Sequence, residues 1–371
     1  METTKSVKIG KNELMDILKK TITFSANRFG PDLNTKAVRM RILPNQLEVE
    51  ATNNMSAILL YTKIDYSEEK KEFLLPAILL LDSIRNIPDS QVEIVPGENE
   101  IEINAGLYKT TISAFEDNMA EIKKTITCHT TEIKCAELSD TFEKVAFSAD
   151  VDNFNNLSCV RFETDSNGIT VVACDGIQLA KYYLEKGFTK AKEIKASIPI
   201  MSVKSLTSCL KGLETPVKIG FDQEEEPEKI AFEWENGYVF SVLLVNNYPD
   251  WRSLIPVEFG TIISFCEDFQ RAVRTAKALT TKDHPELMME IDKDHTIIVA
   301  DSEIGISRNE LTPQFSGSEL KIFFDSRRLS IDPLAGEVKL SLNKKDTPAM
   351  FSNADPNWSL IMMPLAVAVQ K

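Results

Sequence analysis

The chain has 371 residues, 43% of them hydrophobic and 26% charged, with a formal net charge of -14. That length exceeds one ordinary core and implies two or three domains. The acidic balance argues against a tight, stoichiometric DNA binder, although a protein that encloses DNA needs only weak local contacts. Met1-Glu-Thr-Thr-Lys5 has no apolar h-region and no apolar run spans a bilayer, so neither a signal peptide nor a membrane partner is expected. The six cysteines form no C-x-x-C pair, and with three histidines no metal site is expected. Reduced thiols and a cytoplasmic location follow.

Along the chain the same elements recur three times. Each unit opens on an amphipathic helix. Leu14, Ile17, Leu18 and Ile22 share one helical face in the first, with Asn12 as the expected N-cap. Leu138, Phe142, Val145 and Ala146 do so in the second, and Phe269, Ala272, Val273 and Ala276 in the third. A strand ending in Ala and a polar turn comes next, at Ala51, Ala173 and Ala300. An apolar strand, a second helix and a V-x-I-type strand follow. They run from Phe73 to Val92-Glu-Ile94, from Ser197 to Val217-Lys-Ile219, and from Ile322 to Val338-Lys-Leu340.

The spacing predicts three domains, 1–125, 126–256 and 257–371, with boundaries near Glu121–Thr127 and Pro256–Thr261. Alternating Leu47, Val49 and Ala51 predict sheets with one buried face, covered by two helices per domain, an α+β class. The third domain's second helix is expected to be short, because Pro333 follows closely on Leu329. Asp222–Glu228 reads as a solvated hairpin loop, and Asp292 and Asp294 as a hairpin turn rather than a catalytic pair. There is no P-loop, G-x-S-x-G, H-E-x-x-H or G-x-G-x-x-G, and His129, His284 and His295 are isolated; no enzyme and no cofactor is expected.

Three stretches remain: Val172-Ala-Cys-Asp-Gly-Ile-Gln-Leu-Ala180, Tyr248-Pro-Asp-Trp-Arg-Ser-Leu-Ile-Pro256 and Ile361-Met-Met-Pro-Leu365. In this order they resemble the T-D-G-H-R-L-A, F-P-D-Y-R-x-x-I/L-P and terminal M-P-M/V-R signatures of the bacterial DNA polymerase III beta subunit, the beta sliding clamp. The resemblance covers essentially the whole chain. It implies that two three-domain chains close head to tail into a homodimeric ring around double-stranded DNA, independent of sequence. It further implies a non-catalytic processivity factor whose partners are the DNA polymerase, the clamp loader and other proteins with clamp-binding motifs.

By the resemblance, partner peptides dock between the second and third domains. The cleft would comprise Leu157, Cys174, Gly176, Ile177, Gln178 and Leu179, with Pro249, Ser253 and Leu254, and Ile361, Met363, Pro364 and Leu365. Cys174, Ile177 and Gln178 stand where the family has Thr, His and Arg, which makes this cleft more apolar and less positive. The six helix segments together carry +2, leaving -16 on the rest of the chain. Lys11, Lys19, Lys20, Arg28, Lys204, Lys211, Arg271, Arg274, Lys277 and Lys282 are thus the candidates to face DNA. The alternative is a clamp-fold scaffold that binds proteins without being loaded on DNA.

Overall fold

The computed structural model describes residues 5–25, 36–88, 90–122, 124, 128–153, 155–186, 193–223, 226–245, 247–265, 268–330 and 332–366. The first repeat runs β1 (Val7–Gly10), α1 (Lys11–Ile22), β2 (Ala37–Leu43), β3 (Gln46–Thr52), β4 (Ser56–Lys63), β5 (Lys71–Pro76), α2 (Ala77–Arg85), β6 (Gln91–Pro96), β7 (Glu100–Ala105) and β8 (Tyr108–Ser113). The second runs β9 (Cys128–Lys134), α3 (Cys135–Ala146), β10 (Cys159–Thr164), β11 (Gly168–Cys174), β12 (Gln178–Glu185), β13 (Ile194–Pro199), α4 (Ile200–Leu210), β14 (Pro216–Phe221), β15 (Lys229–Trp234) and β16 (Gly237–Val242). The third runs β17 (Thr261–Phe265), α5 (Asp268–Lys277), β18 (Glu286–Ile291), β19 (Thr296–Ser302), β20 (Gly305–Leu311), β21 (Gln314–Ser316), β22 (Leu320–Asp325), β23 (Val338–Leu342), β24 (Ala349–Ser352) and β25 (Trp358–Met362). Where the third repeat's second helix is expected, the described residues hold a single 3-10 turn, Asp332–Leu334. Pro333 lies within it and cannot donate the backbone bond that a longer helix needs.

Contacts divide the chain into two compact units, Met1–Asp140 with Met201–Leu244, and Thr141–Ile200 with Val245–Lys371. The first holds a four-stranded sheet, β1-β6-β7-β8, and an eight-stranded sheet, β5-β2-β3-β4-β16-β15-β14-β9. In the larger sheet, strands of the second repeat continue those of the first through the antiparallel pair β4–β16. The second unit holds a nine-stranded sheet, β13-β10-β11-β12-β25-β24-β23-β17-β21, and a four-stranded sheet, β20-β19-β18-β22. There the pair β12–β25 carries strands of the second repeat onto those of the third.

Helices α1 and α2 begin without side-chain cap bonds. Gly10, not Asn12, is the N-cap of α1, and it makes no side-chain cap bond. A helix leaves its first N–H groups unpaired. Here, because β1, β9 and β13 run straight into α1, α3 and α4, neighbouring backbone supplies the acceptors. Lys11 N–H donates to Ser90 O, Cys135 N–H to Thr215 O, Ala136 N–H to Leu213 O, and Ile200 N–H to Ser158 O. The apolar faces are buried as expected at Leu14, Ile17 and Leu18, at Leu138, Phe142 and Val145, and at Phe269, Ala272, Val273 and Ala276.

Sequence alternation predicted one buried sheet face, as β7 and β19 have, but strands of the large sheets such as β2 and β11 are covered on both. In the first unit Leu47, Val49 and Ala51 fill the core, yet Glu50 is also buried. Its carboxylate accepts from Arg39 and, at 2.9 Å on each oxygen, from Arg41. Arg39 also grips Asp117 through two bonds of 2.6 and 2.7 Å and the Met119 carbonyl. The segment after β8 is thereby strapped across the outer face of the sheet. Lys124 extends the strap with an ion pair to Glu233 at 2.7 Å and sits over the Tyr61 and Tyr238 rings.

Breaking one member of a buried ion network leaves charges uncompensated. Arg39→Ala should therefore cost about 3 kcal/mol in urea unfolding. Burial pushes the Asp117 carboxyl up, but Arg39 and the Met119 N–H outweigh it and hold the carboxyl below its ordinary value. Its stabilisation is complete above the ordinary Asp value and is lost as pH falls through the lower folded value. Melting curves from about pH 7 to about pH 3 should therefore show a smaller acid loss in Asp117→Asn than in the wild type.

Candidate functional site

All thirteen residues expected in the cleft lie in the second compact unit. The turn between β11 and β12 begins their arrangement. Asp175 Oδ1 accepts the N–H groups of Ile177 and Gln178, both at 2.9 Å, and Arg328 pairs with the same carboxylate. Gly176 has φ of 92°, in the region that favours glycine, although a Cβ there would meet only Leu157 Cδ1 at 3.9 Å. The turn therefore requires glycine for backbone conformation and not for space.

Next to the turn runs β25, with Gln178 opposite Met362 and Leu179 opposite Ile361. The ladder continues past the strand, since Met363 N–H donates to Ile177 O at 2.8 Å. Leu365 N–H then donates to Phe323 O at 2.8 Å. The stretch from Tyr248 to Pro256 enters through Trp251, which is buried in a cluster with Val172, Cys174, Leu179 and Ile361. Tyr248 and Ile255 pack against that cluster, and the Tyr248 hydroxyl donates to Val172 O at 3.4 Å. The three separated stretches thus share one apolar cluster.

Burial sorts the expected residues into two layers. Ile177, Leu254 and Met363 are the exposed apolar groups, at 38%, 45% and 40%. Gly176 and Ser253 are also exposed, and Leu157, Pro249 and Leu365 are half-buried. Cys174, Leu179, Ile361 and Pro364, expected as walls, are instead a floor beneath this surface. Gln178, also expected to line the groove, is buried, and its Oε1 has no hydrogen-bond partner. Beside the turn a cavity of about 360 Å³ is lined by Asp150, Asp152, Asp175, Gln178, Arg327 and Arg328 among others.

Sequence reasoning missed the polar group beneath the 248–255 segment. Glu163, on β10, is buried. It accepts the Trp251 indole N–H at 3.3 Å and the Arg252 guanidinium at 2.8 Å. Arg161 donates to it at 3.3 Å and to Ser197 Oγ at 3.1 Å. Burial pushes the Glu163 carboxyl up, but Arg252, Trp251 and Arg161 prevail and hold it below the ordinary range. The available signal was the alternation Arg161-Phe-Glu163, two charges two residues apart in an otherwise apolar strand.

The cationic candidates divide as well. In the first unit Lys19, Lys204 and Lys211 are exposed. Lys20 pairs with Asp16 at 2.7 Å, and Lys11 donates to the carbonyls of Arg85 and Ile87 at the end of α2. In the second unit Lys282 is exposed, and Arg271 pairs with Asp268 at 2.9 Å. Arg274 lies 3.8 Å from Asp332. Lys277 donates to Leu329 O at 3.0 Å, and burial lowers its pKa. Arg28 lies outside the described residues. Among the described residues no group of three or more His, Cys, Asp and Glu is placed to hold a metal ion, and no helix is long and apolar enough to cross a membrane.

Comparison with known proteins adds to this geometry. Residues 132–250 match the family model for the DNA polymerase III beta subunit, central domain. The chain is 24% identical over 344 residues to the beta sliding clamp of Vibrio cholerae, covering 88% of this chain and 90% of that protein. It is 25% identical over 344 residues to the beta sliding clamp of Streptococcus pneumoniae, covering 89% and 86%. Its fold matches the crystal structure of the DNA polymerase III beta subunit from Thermotoga maritima with a TM-score of 0.86 at 18% identity, covering 98% of this chain and 100% of that one.

The left-handed backbone at Gly176 generates a direct test of the turn. Gly176→Ala should lower stability by about 1–2 kcal/mol in thermal unfolding, because a side chain is strained at that φ.

Proposed function

We infer that this chain, a diverged member of the bacterial DNA polymerase III beta subunit family, works in the cytoplasm as a sliding clamp, a non-catalytic processivity factor that holds a DNA polymerase on duplex DNA. The observation that carries this reading is the match to relatives named beta sliding clamp over 90% and 86% of their length. Three repeats, 1–125, 126–256 and 257–371, are its domains, and two copies close head to tail. Edges suited to such closure exist. Among the described residues β8 pairs only with β7, and β20 only with β19. Unpaired edges are templates for another chain, and a heterologous contact that closes gives a ring. Exposed Leu107 and Tyr108 at the start of β8, and Ile304 and Ile306 at the start of β20, give these edges apolar contact area.

An enclosing ring also reconciles the charge of -14 with DNA. Retention is topological, so a few cations such as Lys19, Lys204 and Lys282 suffice for weak phosphate contacts. Partner peptides dock on Ile177, Leu254 and Met363, above the floor formed by Cys174, Leu179 and Ile361. Met363 suits several partners because its side chain is flexible and polarisable.

Three measurements test the reading. With an active clamp loader, the protein should stay on nicked circular DNA and leave when the circle is cut; no retention would favour a scaffold that is not loaded. Sedimentation should give about twice 41.7 kDa, and a strict monomer at micromolar concentration would count against the ring. Met363→Glu should weaken binding of a polymerase-derived peptide at least about tenfold in calorimetry, because docking would bury an unpaired charge.

A further inference from the structure

The segment from Tyr248 to Ile255 is not part of a sheet. It holds one short 3-10 turn, Trp251–Leu254, and lies across the face of β10, β11 and β12 that carries Arg161, Glu163, Val172 and Leu179. Within the segment, local bonds are few. Ser253 donates to Asp250 O through its Oγ at 2.7 Å and its N–H at 3.2 Å, and Ile255 N–H donates to Arg252 O at 3.4 Å. Such a segment needs an anchor to hold one conformation, since fixing each residue costs about 1–2 kcal/mol of backbone entropy.

Glu163 supplies that anchor. One carboxylate takes the indole N–H of Trp251 on Oε1 and the guanidinium of Arg252 on Oε2. Arg252 also stacks on the Trp251 ring, 4.1 Å from its centroid. Two consecutive side chains are therefore tied to the sheet, Trp251 buried and Arg252 bonded to Glu163 with its outer side exposed, and the next two, Ser253 and Leu254, are exposed without such a tie to the sheet. The first unit uses the same device with the charges exchanged. Arg39, on β2, grips Asp117 and the Met119 carbonyl of the strap after β8. Arg161 and Glu163 stand 122 residues after Arg39 and Arg41, at the repeat spacing of Ala51 and Ala173.

We propose that Glu163 is a positioning residue for partner docking: it touches no partner itself and clamps Trp251 and Arg252 so that Leu254 forms one wall of the docking surface. This rests on the docking reading given above. Partner affinity is thereby set in part from beneath the surface, by a carboxylate that an inspection of exposed residues would miss.

Hydrogen exchange and peptide binding together test it on the full chain. The probe is a fluorescein-labelled peptide copied from the clamp-binding segment of a bacterial replicative polymerase. In Glu163→Ala, amides of 248–255 should exchange at least about tenfold faster, with α3 and β11 unchanged. The peptide Kd should rise at least about tenfold. Glu163→Gln retains an acceptor for Trp251 but loses the charge opposite Arg252, so both effects should be intermediate. It also serves as the test if the alanine variant does not fold, and wild-type values for it would then overturn the proposal. Unchanged exchange in a folded Glu163→Ala overturns the anchor, and faster exchange with an unchanged Kd overturns the positioning role. A wild-type chain that binds no peptide overturns the docking reading instead, and the exchange result alone then decides whether Glu163 is the anchor.

Discussion

Strand β25 is the last described strand of the chain, yet it lies between β12 and β24 in the nine-stranded sheet and not at an edge. The candidate site depends on that placement. Pairing Gln178 with Met362 and Leu179 with Ile361 fixes the 175–178 turn beside the residues that follow the strand. A shift of one residue would send Ile361 to the opposite face and dismantle the apolar floor. The first unit contains the corresponding pairing, β4 with β16, again extended by one bond beyond the strand, from Val242 N–H to Met55 O. The last strand of a repeat thus joins the sheet of the preceding repeat, which leaves fewer open edges than isolated domains would have.

Large sheets covered by helices on one side need something on the other. Here that cover is irregular chain held by charge. A strap that was merely apolar could slide, whereas hydrogen-bonded ionic groups accept few geometries. Burying these groups has a cost, because desolvation opposes the ion pairs. Burial indeed pushes the Glu50 carboxyl above its ordinary value despite Arg41 and Arg39. Glu163, with an indole and two guanidiniums around it, falls below. Within the first network the senses are mixed, since Asp117, like Glu163, is held below its ordinary value while Glu50 is raised.

The acidity of the chain acquires a structural context from the side-chain partners. Several candidate cations serve the fold: Lys11 closes the end of α2, and Lys277 bonds the Leu329 carbonyl. Neither role was visible in a count of helix charges, which treats every lysine alike. Lys19, Lys204, Lys211, Arg271, Arg274 and Lys282 are the exposed ones among the described candidates.

Much of the architecture was legible because periodicity reports burial directly. The spacing of Leu14, Ile17 and Leu18, and its two later copies, follows from helix geometry and needs no knowledge of the partners. Other features were hidden because they are made by residues distant in the chain. The starts of α1, α3 and α4 are met by carbonyls distant in the chain, such as Thr215 for Cys135 and Ser90 for Lys11, so Asn12 was a false signal. Glu163 and Trp251 are 88 residues apart, and nothing local marks them as partners. By itself the sequence determined the three repeats, their buried helix faces and the three stretches of the candidate site. Tertiary structure alone decided which of those residues are surface and which are floor, because exposure depends on what other segments cover, and a covering segment has no fixed offset in the chain.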